Sequence, residues 1–395
     1  MLALLLSVLF PIRLALADPR DLKWQTTGFD VGTSPAIGAF GNLYVGQNWP
    51  GTKVYMVNPT TGESLKDYDV GYSTYELTIA PDGTVYVPAG ATLFALNSNL
   101  TFKWQVPGTL WFHVALAADG TVYAGHYDNK VYAMDPANGN VKWASDLLAG
   151  YPWNPVVAPD GTIYVGTSDY MGMFYSLDPL NGHIKKSYKT GGSGASDSAI
   201  IACPAIAADG TIYVVNYNSK VFAFNPDLTV KWPKTLSPST RILASPALAP
   251  DGTIYVGTRD TYKLYALNPG DGAQKWPPFT TGYEITSSPL VGSDGIIYVG
   301  SCDSKVYALD PATGAKLWDY PAGNWINMPM AMCPDGTGYA VSGYNKTMYA
   351  LYSSSTGLAG SSWPMFRHEA RHTGRGGAGP VTKDGTPANL LLLGN

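Results

Sequence analysis

Apolar residues follow one pattern eight times along the chain, at intervals of about forty residues. In each copy a short apolar run meets a turn, a second run carries a central Tyr, and a third run follows, usually leading to a Trp. The central tyrosines are Tyr44, Tyr86, Tyr123, Tyr164, Tyr213, Tyr255, Tyr298 and Tyr339. Units of this length cannot bury an apolar face alone, so the pattern predicts supersecondary repeats that pack against one another.

A single copy shows how each unit divides into strands. The apolar stretch 204–207 ends at an Asp-Gly pair, a strong hairpin signal, and the next runs are 211–215 and 220–224. A Pro- and Gly-containing turn such as 310–314 then reverses the chain before the fourth run. Four short antiparallel strands per unit are typical of a β-propeller blade. We therefore predict an all-β, eight-bladed β-propeller, with seven blades as the alternative.

The two ends of the repeat array predict how the ring closes. The eighth copy runs into the segment 352–362 without a Lys-Trp strand, whereas residues 22–25 (LKWQ) precede the first copy and match residues 102–105 (FKWQ). We predict that the N-terminal segment supplies the outer strand of the last blade.

A second spacing, Ala-x-Asp/Asn-x-x-x-Gly-x-x-x-Trp, recurs within the units, for example at Ala133, Asp135, Gly139 and Trp143. It resembles the tryptophan-docking repeat of pyrroloquinoline-quinone-like propellers, over nearly the whole chain after residue 17. That resemblance implies that each Trp is held between neighbouring blades. The expected docking residues are Trp24, Trp104, Trp143, Trp232, Trp276 and Trp318, whereas the first and fourth units carry Lys66 and Lys186 at this position.

Three function classes are open, and the first two follow from the same resemblance. The repeat type is similar to the propeller subunit of the outer-membrane assembly machinery, which implies a non-catalytic binding or scaffold protein. A dehydrogenase using pyrroloquinoline quinone and Ca²⁺ is an alternative, but Cys203, Cys302 and Cys333 do not form the adjacent Cys pair of those enzymes. A polysaccharide lyase is the other alternative, with Tyr75, His113 and Glu76 as candidate catalytic residues.

The charge composition limits the classes of binding partner that we expect. The 395 residues carry a net charge of −4, and no run of Lys or Arg occurs. Nucleic-acid binding needs clustered cations, so we do not expect it. We expect a monomer that binds a protein or a carbohydrate, without a resident cofactor or metal.

The chain termini differ from the repeat array. Residues 1–17 are almost wholly apolar and end in Ala-Leu-Ala, which predicts a cleaved signal peptide and a secreted or periplasmic protein. No later stretch approaches the roughly 20 apolar residues of a membrane span. We therefore divide the chain into a signal peptide (1–17), the propeller (18–374) and a flexible tail (375–395).

Candidate binding residues come from positions that break the repeat. The residue just ahead of each innermost strand should face the central channel, and blades two, three and four place Glu76, His113 and Asn154 there. The loops that connect blades, and those that join second to third strands, lie at the same end of the channel and also carry aromatic residues. Loops on rigid scaffolds often bind ligands. The candidate ligand-binding residues are Glu76, His113, Asn154, Trp111, Trp153, Tyr283 and Trp325. Alternatively, the channel residues bond only water and backbone.

The segment 363–374 (WPMFRHEARHTG) holds His368 and His372 with Glu369 between them. Its order differs from the HExxH motif of zinc peptidases by one residue. We therefore expect no metal site there, and predict that Trp363 and Phe366 pack on the ring as a plug.

Overall fold

The structure is a computed structural model that describes residues 18–376, except 19, 39–40, 109–110, 169–171, 192–198, 239 and 370. The described residues form thirty-two strands in eight four-stranded antiparallel sheets, and no helix. The chain is an eight-bladed β-propeller, as the repeat predicted. Within these residues no helix has the length and apolar character of a membrane span. The predicted signal peptide and residues 377–395 of the predicted flexible tail lie outside the described residues.

The strands follow chain order within each blade, from the innermost to the outermost. Blade 1 contains β2 (Ala36–Ile37), β3 (Leu43–Gly46), β4 (Lys53–Val57) and β5 (Ser64–Asp69). Blade 2 contains β6 (Thr78–Ile79), β7 (Val85–Ala89), β8 (Thr92–Leu96) and β9 (Phe102–Pro107). Blade 3 contains β10 (Trp111–Leu116), β11 (Val122–His126), β12 (Lys130–Met134) and β13 (Val141–Ala144). Blade 4 contains β14 (Val156–Val157), β15 (Ile163–Gly166), β16 (Met173–Leu177) and β17 (Ile184–Lys189).

The second half of the ring repeats this arrangement. Blade 5 contains β18 (Ala205–Ile206), β19 (Ile212–Val215), β20 (Lys220–Phe224) and β21 (Val230–Thr235). Blade 6 contains β22 (Ala247–Leu248), β23 (Ile254–Gly257), β24 (Lys263–Leu267) and β25 (Phe279–Thr280). Blade 7 contains β26 (Leu290–Val291), β27 (Ile297–Ser301), β28 (Lys305–Leu309) and β29 (Lys316–Pro321). Blade 8 contains β30 (Ala331–Met332), β31 (Gly338–Ser342), β32 (Thr347–Leu351) and, as its outer strand, β1 (Leu22–Gln25).

The N-terminal strand closes the ring. β1 runs antiparallel to β32, with Trp24 opposite Ala350 and Gln25 opposite Tyr349. The backbone N–H of Thr26 continues the ladder by donating to the carbonyl of Met348 at 2.9 Å. The predicted closure is therefore confirmed, and the two chain ends share one blade.

Docked tryptophans join neighbouring blades. The indole N–H of Trp24 donates to the carbonyl of Pro59 in blade 1 at 2.9 Å, and its ring packs on Gly62, where a Cβ would collide with the ring. Gly62 has a φ of 77°, so this glycine supplies both the space and the turn. Equivalent pairs are Trp104 with Gly139, Trp143 with Gly182, Trp232 with Gly272, and Trp276 with Gly314.

The two blades that lack the tryptophan are followed by blades that lack the glycine. Lys66 of blade 1 precedes Leu100 of blade 2, and Lys186 of blade 4 precedes Leu228 of blade 5. Leu100 and Leu228 are buried in the clusters that join these blades, and both have positive φ, 54° and 61°. A leucine therefore provides apolar contact at the two interfaces without an indole ring, even though its backbone is in the left-handed region.

A polar contact that the sequence analysis missed ties the outer strand of most blades to the first turn. In blade 2, Lys103 donates to Thr84 Oγ1 at 2.8 Å, and Thr84 donates from its backbone N–H and its hydroxyl to Asp82. The same Asp, Thr and Lys recur in blades 3, 4, 5, 6 and 8. Blades 1 and 7 lack both the Thr and the Lys, with Leu65 and Leu317 at the Lys position. The Thr and the Lys are therefore present together or absent together in every blade.

We predict that Trp24→Ala destabilises the ring by about 3–5 kcal/mol, because it removes a buried aromatic ring and an inter-blade hydrogen bond at the closure. Chemical denaturation monitored by circular dichroism measures the change. The matched control is Trp49→Ala, since Trp49 is 83% exposed and should change stability by less than about 0.5 kcal/mol. Equal effects of the two substitutions would contradict this role of Trp24.

Candidate functional site: the loop-face cleft and its floor

The central channel has two different ends. The first-to-second and third-to-fourth strand turns form the tight-turn face, and the blade connections and second-to-third strand loops form the loop face. After β32 the chain enters the channel, and we call residues 353–376 the channel plug. Carbonyls of the plug accept hydrogen bonds from innermost-strand N–H groups in five blades, at Ile79, Leu116, Val157, Leu248 and Val291. The plug therefore satisfies backbone donors that the ring leaves open.

The plug begins on blade 7, where the repeated Asp-Thr-Lys contact is missing. Asp294, at the Asp position of that contact, accepts hydrogen bonds from the hydroxyls of Ser354, at 2.7 Å, and Ser355. Gly292 and Gly336 flank Ser355, and a Cβ at either glycine would collide with it. This departure from the repeat therefore anchors the plug.

Trp363, Met365 and Phe366 of the plug are buried in the clusters of the ring, as predicted for Trp363 and Phe366. Arg367 follows them and is fully buried, with a left-handed φ of 56°. Its Nε donates to the carbonyl of His372 at 3.0 Å, one Nη donates to Asn154 Oδ1 at 3.1 Å, and the other donates to the carbonyl of Val114. A buried charge needs such partners, because desolvation otherwise disfavours the folded state.

The positions ahead of the innermost strands join blades through hydrogen bonds. The N–H of Ser34 donates to Glu76 Oε2 at 2.8 Å, and the N–H of Cys203 donates to Ser245 Oγ at 2.8 Å. The N–H of Ser245 donates in turn to Ser288 Oγ at 2.9 Å. At three blade interfaces the side chain of one blade therefore accepts a bond from the equivalent residue of the preceding blade.

Glu76, His113 and Asn154 lie around Arg367. Asn154 bonds to it directly, and the charge of Arg367 acts on both Glu76 and His113. Burial raises the pKa of Glu76 to about 7, although its bond to Ser34 and the guanidinium oppose the shift. Burial and then the charges of Arg367 and His372 hold the pKa of His113 well below its usual value. At neutral pH His113 is therefore a neutral imidazole.

Glu76 and His113 form part of the lining of a cleft of about 520 Å³ that opens on the loop face. Trp49, 83% exposed, and Tyr72, 51% exposed, stand at its rim. Tyr72 packs on Gly90, where a Cβ would lie 2.7 Å from Cγ of the Tyr72 ring. The remaining lining residues are Gly32, Thr33, Asn48, Pro50, Thr52, Gly71, Ser73, Thr74, Tyr75 and Met328.

Trp153 adjoins the cleft, since its ring centroid lies 5.7 Å from that of His113 and 6.4 Å from that of Tyr75, whereas the remaining candidate residues lie elsewhere on the loop face. Trp111 is buried against His126 and Tyr132, and Trp153 packs on Phe112 with ring centroids 4.4 Å apart. Tyr283 and Trp325 are partly exposed, and belong to a row of rings over blades 6 to 8. This aromatic row consists of Tyr262, Tyr283, Trp325 and Tyr344, with successive centroids 5.1, 6.0 and 5.4 Å apart.

Trp49, Tyr72 and Arg367 were not among the predicted site residues. Trp49 lies in a second-to-third strand loop whose Trp-Pro-Gly sequence departs from the other repeats. Arg367 was visible as the cation that ends the apolar run 363–366. Both signals were present, but neither identifies which residues of other blades lie nearby.

Comparison with known proteins places this geometry in a family. Residues 20–188 and 196–350 match the family model described as outer membrane protein assembly factor BamB. The chain belongs to this family. Over 169 aligned residues it is also 27% identical to the serine/threonine-protein kinase AfsK of Streptomyces griseus, covering 38% of this chain but only 21% of the kinase.

Solved structures similar to this BamB-family propeller share its fold at low sequence identity. BamB from Moraxella catarrhalis has a TM-score of 0.68 and 15% identity, covering 84% of this chain and 99% of that one. The computationally designed Ika8 protein has a TM-score of 0.69 and 14% identity, with the same coverage. A europium-containing methanol dehydrogenase has a TM-score of 0.66 and 15% identity, covering 81% of this chain and 84% of the enzyme.

The channel of this BamB-family chain does not fit the metal named for that dehydrogenase. In the described ranges between residues 18 and 376, no three His, Cys, Asp or Glu residues are grouped so that they could hold a metal ion. The guanidinium of Arg367 also lies beside Glu76, the carboxylate that could have contributed oxygen ligands. Hard cations prefer several oxygen ligands, which this donor set lacks.

We predict that the difference in free energy of unfolding, Glu76→Gln minus wild type, increases as the pH rises from 4.5 to 7 and is constant above pH 7. In this window folded Glu76 keeps a proton that the unfolded chain has released, since its pKa rises from 4.5 to about 7. The wild type therefore loses stability as pH rises, by about 3 kcal/mol in total. Urea denaturation from pH 4 to 8 measures the difference.

Taking the difference in free energy of unfolding between the two proteins at each pH cancels the contributions of the other titrating groups of the site. His113 and His372, whose pKa values are lowered by burial, destabilise both proteins at acidic pH. Arg367 remains charged, and the pKa of Cys203 is raised by burial to about 11, so neither changes charge in this window. A difference independent of pH would contradict the buried environment of Glu76.

We also predict that Arg367→Met destabilises the protein by about 3–5 kcal/mol, because it leaves Asn154 Oδ1 without its donor. The carbonyls of Val114 and His372 would then share only the hydroxyl of Thr78. Arg20→Met is the control, since Arg20 pairs with Asp18 on the surface and should contribute less than about 1 kcal/mol. Thermal and urea denaturation measure both. If the two variants unfold alike, Arg367 does not anchor the plug.

Proposed function

We propose that this BamB-family chain is a non-catalytic binding or scaffold propeller whose loop face receives a ligand or partner at the central channel. The observation that carries the proposal is the contrast between the two channel ends. The chain's own plug is bonded to the innermost strands towards the tight-turn face, whereas the loop-face end has a cleft with an exposed aromatic rim. Exposed apolar groups rimmed by polar ones mark interaction sites more often than chance.

The side chains of the cleft support binding rather than acid–base chemistry. Burial raises the pKa of Tyr75 and lowers that of His113, so neither ionises near neutral pH. An efficient general base has a pKa near the working pH. Among Tyr75, His113 and Glu76 only Glu76 meets this condition, so Tyr75 and His113 are unsuited to be the base of a lyase.

The proposal extends to location and partners. The apolar residues 1–17 and the family description, which names outer membrane protein assembly, support a periplasmic or secreted protein. We propose that it acts as a monomer and binds a protein or a carbohydrate. Of the seven contact residues predicted from the sequence, we retain Glu76, His113, Trp153, Tyr283 and Trp325 in the proposal and leave out Asn154 and Trp111, which are buried. Trp49 and Tyr72 are added from the cleft.

Site-directed photocrosslinking in the source cells tests this proposal. A benzophenone amino acid replaces Tyr72 or Trp325 on the loop face, or Leu180 as a matched control. Leu180 is 85% exposed and lies in a third-to-fourth strand turn on the tight-turn face. We expect one defined adduct from both loop-face positions and none from Leu180. Adducts from Leu180 without adducts from the loop face would overturn the proposal.

A further inference from the structure

We propose that the loop-face cleft binds an uncharged saccharide, with one sugar ring stacked on Tyr72 and its hydroxyl groups bonded to Glu76 and His113. This inference rests on the proposed function, because it uses the same open end of the channel. The volume of about 520 Å³ lies within the range of small-molecule sites.

The aromatic rim provides a stacking surface. Gly90 supports Tyr72 from one side, and 51% of the Tyr72 surface is nevertheless exposed. Trp49 stands at the same rim and is more exposed still. The C–H face of a sugar ring is apolar and weakly positive, so it packs favourably on the negative face of an aromatic ring.

The floor supplies complementary hydrogen-bonding groups. The backbone N–H of Ser34 bonds to one oxygen of the Glu76 carboxylate, which can accept up to four bonds in all. His113 is 7% exposed, and its Nδ1 has no hydrogen-bond partner within the described part of the chain. Buried polar atoms normally have partners, so this unsatisfied nitrogen, on a residue that lines the cleft, favours a bond to a ligand or solvent group that reaches His113. A sugar hydroxyl can donate to Glu76 and accept from or donate to a neutral imidazole.

The charge of the cleft favours a neutral ligand. Among the described lining residues there is no Lys or Arg, so an acidic polysaccharide or a phosphate would find no cation at the rim. Glu76 is the one carboxylate of that lining, and the buried guanidinium of Arg367 offsets its charge. A cationic ligand would therefore gain little, whereas an uncharged polyol meets no unpaired charge.

The backbone of the cleft disfavours an extended peptide. Peptides commonly bind by adding a strand to free backbone groups. Here the N–H groups of Gly32 and Thr33 both donate to the carbonyl of Gly46. The N–H of Thr74 donates to the carbonyl of Gln47, and the N–H of Tyr75 donates to the carbonyl of Pro88. The N–H of Thr52 bonds to the side chain of Gln47. Recognition therefore depends on side chains and aromatic faces, which suits a saccharide.

The test is a titration of the full chain with four tetrasaccharides, namely tetra-N-acetylchitotetraose, cellotetraose, maltotetraose and tetragalacturonate. Binding is followed by Trp fluorescence, since Trp49 lies at the rim, and by calorimetry. We expect at least one neutral tetrasaccharide to saturate the protein, and tetragalacturonate to show no saturation. Tyr72→Ala should weaken this binding at least tenfold and Glu76→Gln several-fold.

The control variant is Tyr344→Ala, because Tyr344 is 72% exposed and belongs to the aromatic row rather than to the cleft. It should leave saccharide affinity unchanged. Tyr72 is a surface residue, so its variant remains informative even if Glu76→Gln folds poorly. The inference is overturned if no neutral tetrasaccharide saturates, if only tetragalacturonate binds, or if Tyr344→Ala weakens binding as much as Tyr72→Ala.

The two proposals fail in different ways. If the saccharides do not bind but Tyr72 and Trp325 still crosslink to one partner, the binding function stands and the saccharide inference is wrong. If crosslinks come only from the tight-turn face, the binding function itself is wrong.

Discussion

Contact between neighbouring blades is the constraint on which this structure depends. A four-stranded blade exposes two apolar faces, and both must be covered by other blades. Docked tryptophans provide this cover at five interfaces, where Gly62, Gly139 and their equivalents leave the space for the ring. Between blades 7 and 8, Trp318 packs against the shared cluster without such a glycine. At the two interfaces without tryptophan, Leu100 and Leu228 lie in the clusters that join the blades. The first and last blades obey the same rule, because Trp24 carries the contact across the closure.

A closed ring creates a second problem at its centre, which the channel plug solves. The innermost strands have no inward neighbour, so their N–H groups need acceptors from elsewhere. The plug supplies carbonyls in five blades and also brings in the side chain of Arg367. That charge is stabilised by Asn154 and backbone carbonyls, and it acts on Glu76 and His113. Filling the channel thus sets the electrostatics of the cleft floor.

The proposed function follows from this asymmetry. The plug occupies the channel beside the innermost strands, while the loop face keeps a cleft with aromatic walls and a nearly neutral floor. The BamB-family fold is shared by proteins with different printed names, including a dehydrogenase, so the fold alone does not select among functions. The residues of the cleft carry the argument instead, and they favour recognition of an uncharged ligand.

The repeat determined much of this protein by itself. Period and turn residues predicted eight four-stranded blades, and the match of residues 22–25 to 102–105 predicted the closing strand, since both features are local and recur. Equivalence of position within the ring also placed Glu76, His113 and Asn154 on neighbouring blades. Only the tertiary structure put Arg367 among them and made Trp49 and Tyr72 the rim of one cleft. The path of the plug follows no period, and the cleft joins side chains from four blades, so neither could be derived from spacing along the chain.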